Sequence, residues 1–336
     1  VKSTHRLIPA AASALTLALL AVAFAPQLLG SELQRALAGL SSARPIWLWL
    51  AGVCFLCSLV GTAGAWRCAI GLVGGRLGWL DAGARYGIGS LINSFAPARL
   101  GDVARLALFS RALDSEDRLW RASGSVVVIG AARALVLALL VVAGSLAGAL
   151  PLWPVLMLTG LSGIVALAAM RTRNRTARTH IGHVLDAFGA LGREPKRGAR
   201  IAGWIAFSTV ARLGAAASIA AALGIHSPLI AAVLIVPVLE LSGTMPLTPG
   251  NVGLTSGAIA MALRAHGVGM TTALTTGIAF HAVETVAGIV FGLASVLFLA
   301  PLNSAGSRLR TSLAVGTITC AVLVGAFGAT VLVDFV

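Results

Sequence analysis

Two stretches interrupt an otherwise apolar chain with residues that hold charge and break helices. They are Asn93-Ser-Phe-Ala-Pro-Ala-Arg-Leu-Gly-Asp102 and Met245-Pro-Leu-Thr-Pro-Gly-Asn-Val-Gly253. In the first, Arg99 and nearby Arg105 carry guanidinium groups, the natural partners of phosphate. An unpaired arginine at the centre of a bilayer costs roughly 2.5–3.5 kcal/mol. Two of them therefore imply a lined cavity or an anionic partner. Pro97 and Gly101 would break a helix between them, and Asn93 and Asp102 complete the polar set. The plainer alternative is a surface loop with Arg99 and Asp102 as a local ion pair. In the second stretch Pro246 and Pro249 stop the preceding helix, Gly250 and Asn251 accept a positive φ, and Thr248 and Gly253 fall within the same turn. Thr255 and Ser256 lie near the start of the next helix, where free amides attract anions. The alternative is a Pro/Gly turn on the outer face.

Four further charges, Arg133, Arg212, Glu240 and Glu284, stand inside apolar runs together with His281. Such residues are functional by default, although two acids and two arginines can also neutralise one another as structural pairs. His281 and Glu284 share a helix face at i, i+3. No second histidine or acid accompanies them nearby, so no metal is expected. Glu240, His281 and Glu284 are candidates for proton or ion coupling, with a bond from His281 to a neighbouring helix as the plainer alternative. There is no nucleophile elbow, no P-loop and no H-E-x-x-H. The chain is therefore not expected to be an enzyme, and no cofactor is expected.

The elements that must position these residues are membrane spans. The chain has 336 residues, 58% of them hydrophobic and 11% charged, against about a quarter charged in a soluble domain. Apolar runs fall at residues 7–29, 45–66, 86–109, 123–150, 152–170, 201–223, 228–265, 271–300 and 311–333. The runs at 86–109 and 228–265 contain the interruptions. The first run resembles a signal peptide, but Pro26 directly after the apparent cleavage site disfavours cutting. The expected fold is an all-α polytopic membrane protein, a single membrane domain over 1–336. It should have about 7–9 transmembrane helices and two Pro/Gly-interrupted, re-entrant segments. Cys54 and Cys57 form a C-x-x-C inside an apolar helix, where small packing residues are the ordinary reading, and no disulfide framework is visible.

The net charge of +14 bears on topology, because cytoplasmic loops collect Lys and Arg. The segment 171–200 holds eight such residues and is expected inside, with the N-terminus, Arg67–Arg85, Arg111–Arg121 and Arg308/Arg310. Together these hold 18 of the 25 basic residues. That pattern requires each interrupted segment to return to its starting side, the first entering from the cytoplasm and the second from outside. Nucleic acid is not an expected partner, since no basic stretch is interleaved with aromatics.

The same residues carry a family resemblance. Asn93 to Arg105 resembles the N-x-x-x-P-x-R-x-G-[DE]-x-x-R of the lysylphosphatidylglycerol-synthase transmembrane region, a flippase-like integral membrane family. Pro246 to Leu254 resembles its P-x-T-P-G-G-x-G-[VL]. Arg133 falls where that family has a Glu-Arg pair. The chain departs from the pattern at Asn251 for the second glycine, Ser256 for a glutamate, Ala132 for the glutamate of Glu-Arg, and His281 where a late basic residue is expected. The lost acids bear on family-style ion coupling. The resemblance spans about 45–300 and implies a fold that moves or binds lipid head groups. Some members are fused to a soluble aminoacyl-transferase domain. That domain is not expected here, because the 36 residues after 300 read mostly as a span.

The function expected is translocation of an anionic lipid or lipid-linked precursor between leaflets of the cell membrane. Arg99, Arg105 and Arg133 would hold the phosphate. The turns around Asn93, Pro97, Gly101 and Asp102, and around Pro246, Thr248, Pro249, Gly250 and Gly253, would gate access. The alternative is a non-transporting membrane partner of a lipid-modifying or glycosyl-transferring enzyme, bound through the 171–200 loop. A small-solute exporter and a membrane-embedded enzyme are the remaining readings.

Overall fold

A computed structural model describes residues 38–95, 100–114, 117–146, 148, 189, 192–242 and 252–299. Among the described residues there are eight long helices and no strand: α1 (Pro45–Leu72), α2 (Trp79–Phe95), α3 (Leu100–Ser110), α4 (Arg118–Leu146), α5 (Pro195–Ala222), α6 (Pro228–Ser242), α7 (Val252–Ala265) and α8 (Met270–Leu299). The expected spans at 7–29, 152–170 and 311–333 lie outside the described residues, as do Pro97, Arg99, Pro246, Thr248, Pro249, Gly250 and most of 171–200.

Local chemistry sets the helix ends. Proline occupies the first turn of α1 and α5, where its missing N–H costs nothing. Gly74, Gly224 and Gly267 follow α1, α5 and α7 with positive φ of 95°, 72° and 83°. Each lets the next amide bond back across the last turn: Gly75 to Ile70 at 3.0 Å, Ile225 to Ala220 at 3.0 Å and Val268 to Leu263 at 3.1 Å. Three expected boundaries move. The basic segment 171–200 does not remain a loop to its end, because α5 opens at Pro195 and takes Lys196, Arg197 and Arg200 into its first turns. Likewise Arg118 and Arg121 belong to α4. The first interrupted segment starts at Trp79, with Asp81 in the first turn of α2, where the helix dipole favours an acid.

Helices α1, α4, α5 and α8 are long and apolar enough to cross a membrane. Twenty-eight residues of α1 span about 42 Å, more than the roughly 30 Å hydrocarbon core. Their burial pattern is the reverse of a soluble bundle. Val60, Leu135, Leu139, Val210, Leu293 and Val296 are exposed, while Ser58, Thr62, Ser125, Ser208 and Ser295 are buried. The molecule is an all-α membrane protein. Serine and threonine stitch its interior: the Ser208 hydroxyl on α5 lies 2.9 Å from those of both Ser58 and Thr62 on α1. Phe55 meets Phe280 edge-on at 4.9 Å, and Trp66 stacks on Phe109 at 4.5 Å.

The two ends of the bundle are chemically distinct. At one, Arg197 of α5 donates to the Gly71 carbonyl at 2.6 Å, Arg67 donates to Leu77 at 3.0 Å, and Ser125 of α4 donates to Ala69 at 3.2 Å. The basic stretches around 67–76, 118–121 and 196–200 therefore gather there. At the other end, the Arg44 amide bonds to Ala222 at 3.1 Å, and Gly39 packs on Thr275 near the start of α8. α2 and α3 enter from the basic end and double back, with Arg85 bonded to the Leu108 carbonyl. α6 starts six residues after α5 finishes, and α7 ends five residues before α8 begins. This second pair, whose helices pack on each other, therefore enters and leaves at the opposite end. Each interrupted segment is thus a helix hairpin, and the two have their open ends at opposite ends of the bundle.

Candidate functional site

The two legs of the first hairpin, α2 and α3, are held together by side chains that the sequence motif supplies. Leu100 begins α3, so the amides of its first turn have no partner within the helix. The Asn93 side-chain oxygen accepts the Gly101 amide at 2.7 Å, and its nitrogen donates to Asp102 Oδ1 at 3.1 Å. Arg105, one turn further along α3, reaches the same Asp102 oxygen at 2.5 Å. Its other nitrogens donate to the Ser90 hydroxyl at 2.8 Å and the Tyr86 carbonyl at 3.4 Å, and its plane lies 4.2 Å over the Tyr86 ring. All three nitrogens of Arg105 thus have partners inside the hairpin, and the side chain is only 13% exposed. Gly101 is required by the approach of the two legs: a Cβ there would overlap the Gly89 carbonyl oxygen and the Asn93 side chain.

A second cluster joins four helices at mid-depth. Arg212 stands well inside the 28-residue α5 and Glu284 near the midpoint of the 30-residue α8. Arg212 donates to Glu284 through one nitrogen and to Glu240 of α6 through another, the latter at 3.1 Å. Arg133, midway along α4, lies 3.7 Å from the other Glu240 oxygen and is 40% exposed. It is the most loosely held of these cations. His281 is one turn before Glu284. Its Nε2 lies 3.4 Å from the Thr285 hydroxyl, and its Nδ1 is buried without a partner among the described residues.

Both clusters open into one cavity of about 540 Å³ between α1, α2, α3, α4, α5 and α8. Its wall includes Asn93, Asp102, Arg105, Arg133, Arg212 and Glu284. Among the described residues, Arg105, Arg133 and Arg212 are balanced by Asp102, Glu240 and Glu284. Apolar walls from Phe55, Leu59 and Trp66 complete the space. A cavity that carries paired cations and acids between apolar helices offers guanidinium groups to an anion.

The structure thus brings together Asn93, Gly101, Asp102, Arg105, Arg133, Glu240, His281 and Glu284. Gly253 is placed on α7, directly after Val252. The sequence reading missed the central position of Arg212 and the parts played by Tyr86 and Ser90. The helical spacing from Tyr86 and Ser90 to Asn93, all on one face of α2, was the available signal. No group of three or more histidine, cysteine or acidic side chains able to hold a metal occurs among the described residues.

A family model described as "Lysylphosphatidylglycerol synthase TM region" matches residues 10–292. No curated protein matches the chain.

Proposed function

This chain belongs to the lysylphosphatidylglycerol synthase TM-region family and is an integral membrane protein of lipid metabolism; on that premise we propose that it carries an anionic lipid or lipid-linked precursor between leaflets, without bond-making chemistry of its own. The observation that carries this reading is the cavity of about 540 Å³ with three guanidinium groups in its wall. That size falls within the range of small-molecule sites, and guanidinium is the chemistry that holds phosphate.

Within the cavity Arg133 is the proposed phosphate contact, because its only described ion pair is long and its side chain is the most exposed. Arg105 serves the proposed site by shaping the hairpin and adding positive potential. The placement of the two hairpins at opposite ends of the bundle supports alternating access as the mode of transport in this reading. In the cell membrane the basic end, with the N-terminus and 171–200, would face the cytoplasm.

The test is leaflet translocation of fluorescent phosphatidylglycerol and phosphatidylcholine in proteoliposomes. Faster movement of the anionic lipid, slowed about tenfold in Arg133→Ala, supports the proposal. A folded protein that moves neither lipid would overturn it, and would favour a non-transporting partner of a lipid-modifying or glycosyl-transferring enzyme.

A further inference from the structure

The cavity presents an electrostatic problem to any anion that enters it. Among the described residues its three arginines already have three carboxylates as counter-ions. A phosphate that first meets Arg133 and moves on to Arg212 must displace Glu284 or Glu240 from it. The displaced carboxylate then sits in a partly buried place without its cation, where an uncompensated charge is costly. A proton removes that charge.

We propose that the cavity takes up a proton with the phosphate, on Glu284, as the head group replaces Glu284 on Arg212. The inference rests on the head-group reading of the cavity and names its co-substrate. The exchange balances without any covalent change in the lipid. The Arg212–Glu284 ion pair opens, the phosphate occupies the guanidinium, and the carboxylate gains one H⁺. Release of the lipid re-forms the ion pair and returns the proton. A singly charged phosphate therefore crosses with its charge neutralised.

Glu284 suits this role better than Glu240. Glu240 touches two arginines, so displacement from Arg212 still leaves it beside Arg133. Glu284 has Arg212 as its one ion-pair partner among the described residues. Other titratable groups of the helices packed on α8 are Cys54, Cys57, Arg67 and Cys68 of α1, Asp81, Arg85 and Tyr86 of α2, Lys196, Arg197 and Arg200 of α5, and Arg264 at the last turn of α7. Across the cavity stand Asp102, Arg105 and Arg133. None of these places a second cation on Glu284. His281, three residues earlier on the same helix, lines the same cavity and has a buried nitrogen without a described partner. It is the next station for the proton.

The experiment uses the full-length protein in nanodiscs of zwitterionic lipid, titrated calorimetrically with dihexanoyl-phosphatidylglycerol in two buffers of different ionisation enthalpy. The difference between buffers counts protons. The expected result is an uptake of about one proton per lipid bound, and affinity that falls as pH rises. Glu284→Gln should bind with no uptake, and Glu240→Gln should retain it. Binding by wild type without proton uptake overturns the inference and leaves the head-group reading standing. Uptake that persists in Glu284→Gln also overturns it. No binding of the lipid overturns both. The wild-type count stands as a test even where a variant fails to fold.

Discussion

The Arg212 guanidinium on α5 donates to Glu240 on α6 at 3.1 Å, tying a continuous span to one leg of the second hairpin. Arg212 also holds Glu284 on α8, so one side chain neutralises acids from two other helices. Removing one member of a buried ionic set costs more than removing the set, because the stranded charges remain. Arg212→Gln is expected to destabilise the protein by about 3 kcal/mol. The double variant Arg212→Gln/Glu284→Gln should recover part of that loss. Thermal unfolding in detergent checks both, and equal destabilisation of the two variants would show that the acids are not stranded.

Arg133 and Arg105 should separate binding from architecture. Arg133 has one described ion pair, at 3.7 Å, too long for a hydrogen bond, and its partner Glu240 keeps Arg212 when Arg133 is removed. Arg133→Ala should leave the unfolding temperature nearly unchanged and slow anionic-lipid movement by about tenfold, equivalent to about 1.4 kcal/mol. Arg105 instead bonds Asp102, Ser90 and Tyr86. Arg105→Ala should therefore lower stability and transport together. Parallel unfolding and lipid-translocation assays read both quantities, and a large unfolding shift in Arg133→Ala would contradict this division of roles.

The contact between the two legs of the first hairpin offers a steric test. Gly101→Ala places a methyl group against the Gly89 carbonyl and the Asn93 side chain, and overpacking of this kind costs about 2 kcal/mol. Asn93→Ala strands the Gly101 amide that it now accepts at 2.7 Å, at a cost of about 1–3 kcal/mol. Since both substitutions act on one contact, their effects should combine to less than the sum. Full additivity in a double-variant unfolding cycle would show that the contact does not couple the two legs.

Much of the fold is legible in the sequence because membrane spans announce themselves locally. The apolar runs, the helix-starting prolines and the Pro/Gly interruptions identify the helices and hairpins, and the arginine distribution predicts that the hairpins oppose one another. Helix starts were harder to read. Lys196, Arg197 and Arg200 look like loop residues, yet long basic side chains can leave the helix surface toward water, so α5 begins before its apolar stretch. The site was legible only in part. Arg133, Arg212, Glu240 and Glu284 declare themselves as charges in apolar runs, but the pairing of Arg212 with both acids depends on contacts 28 and 72 residues apart. Tyr86 and Ser90 carry no charge and read as ordinary packing residues until α3 folds back on them.

The opposed hairpins make a prediction about sidedness that needs no assumption about cargo. Arg111, just after the first hairpin, and Ser227, just before the second, are both exposed and lie at opposite ends of the bundle. With the basic end inside, Arg111→Cys should be shielded in intact cells and Ser227→Cys should react with a membrane-impermeant maleimide. The native cysteines are replaced beforehand, and permeabilised cells should label both positions. Labelling of both residues in intact cells would mean that the two positions lie on one side of the membrane, which is incompatible with hairpins inserted from opposite faces. The reverse pattern, Arg111→Cys alone, would keep the architecture and invert the orientation, placing the gathered arginines outside against the usual cytoplasmic bias.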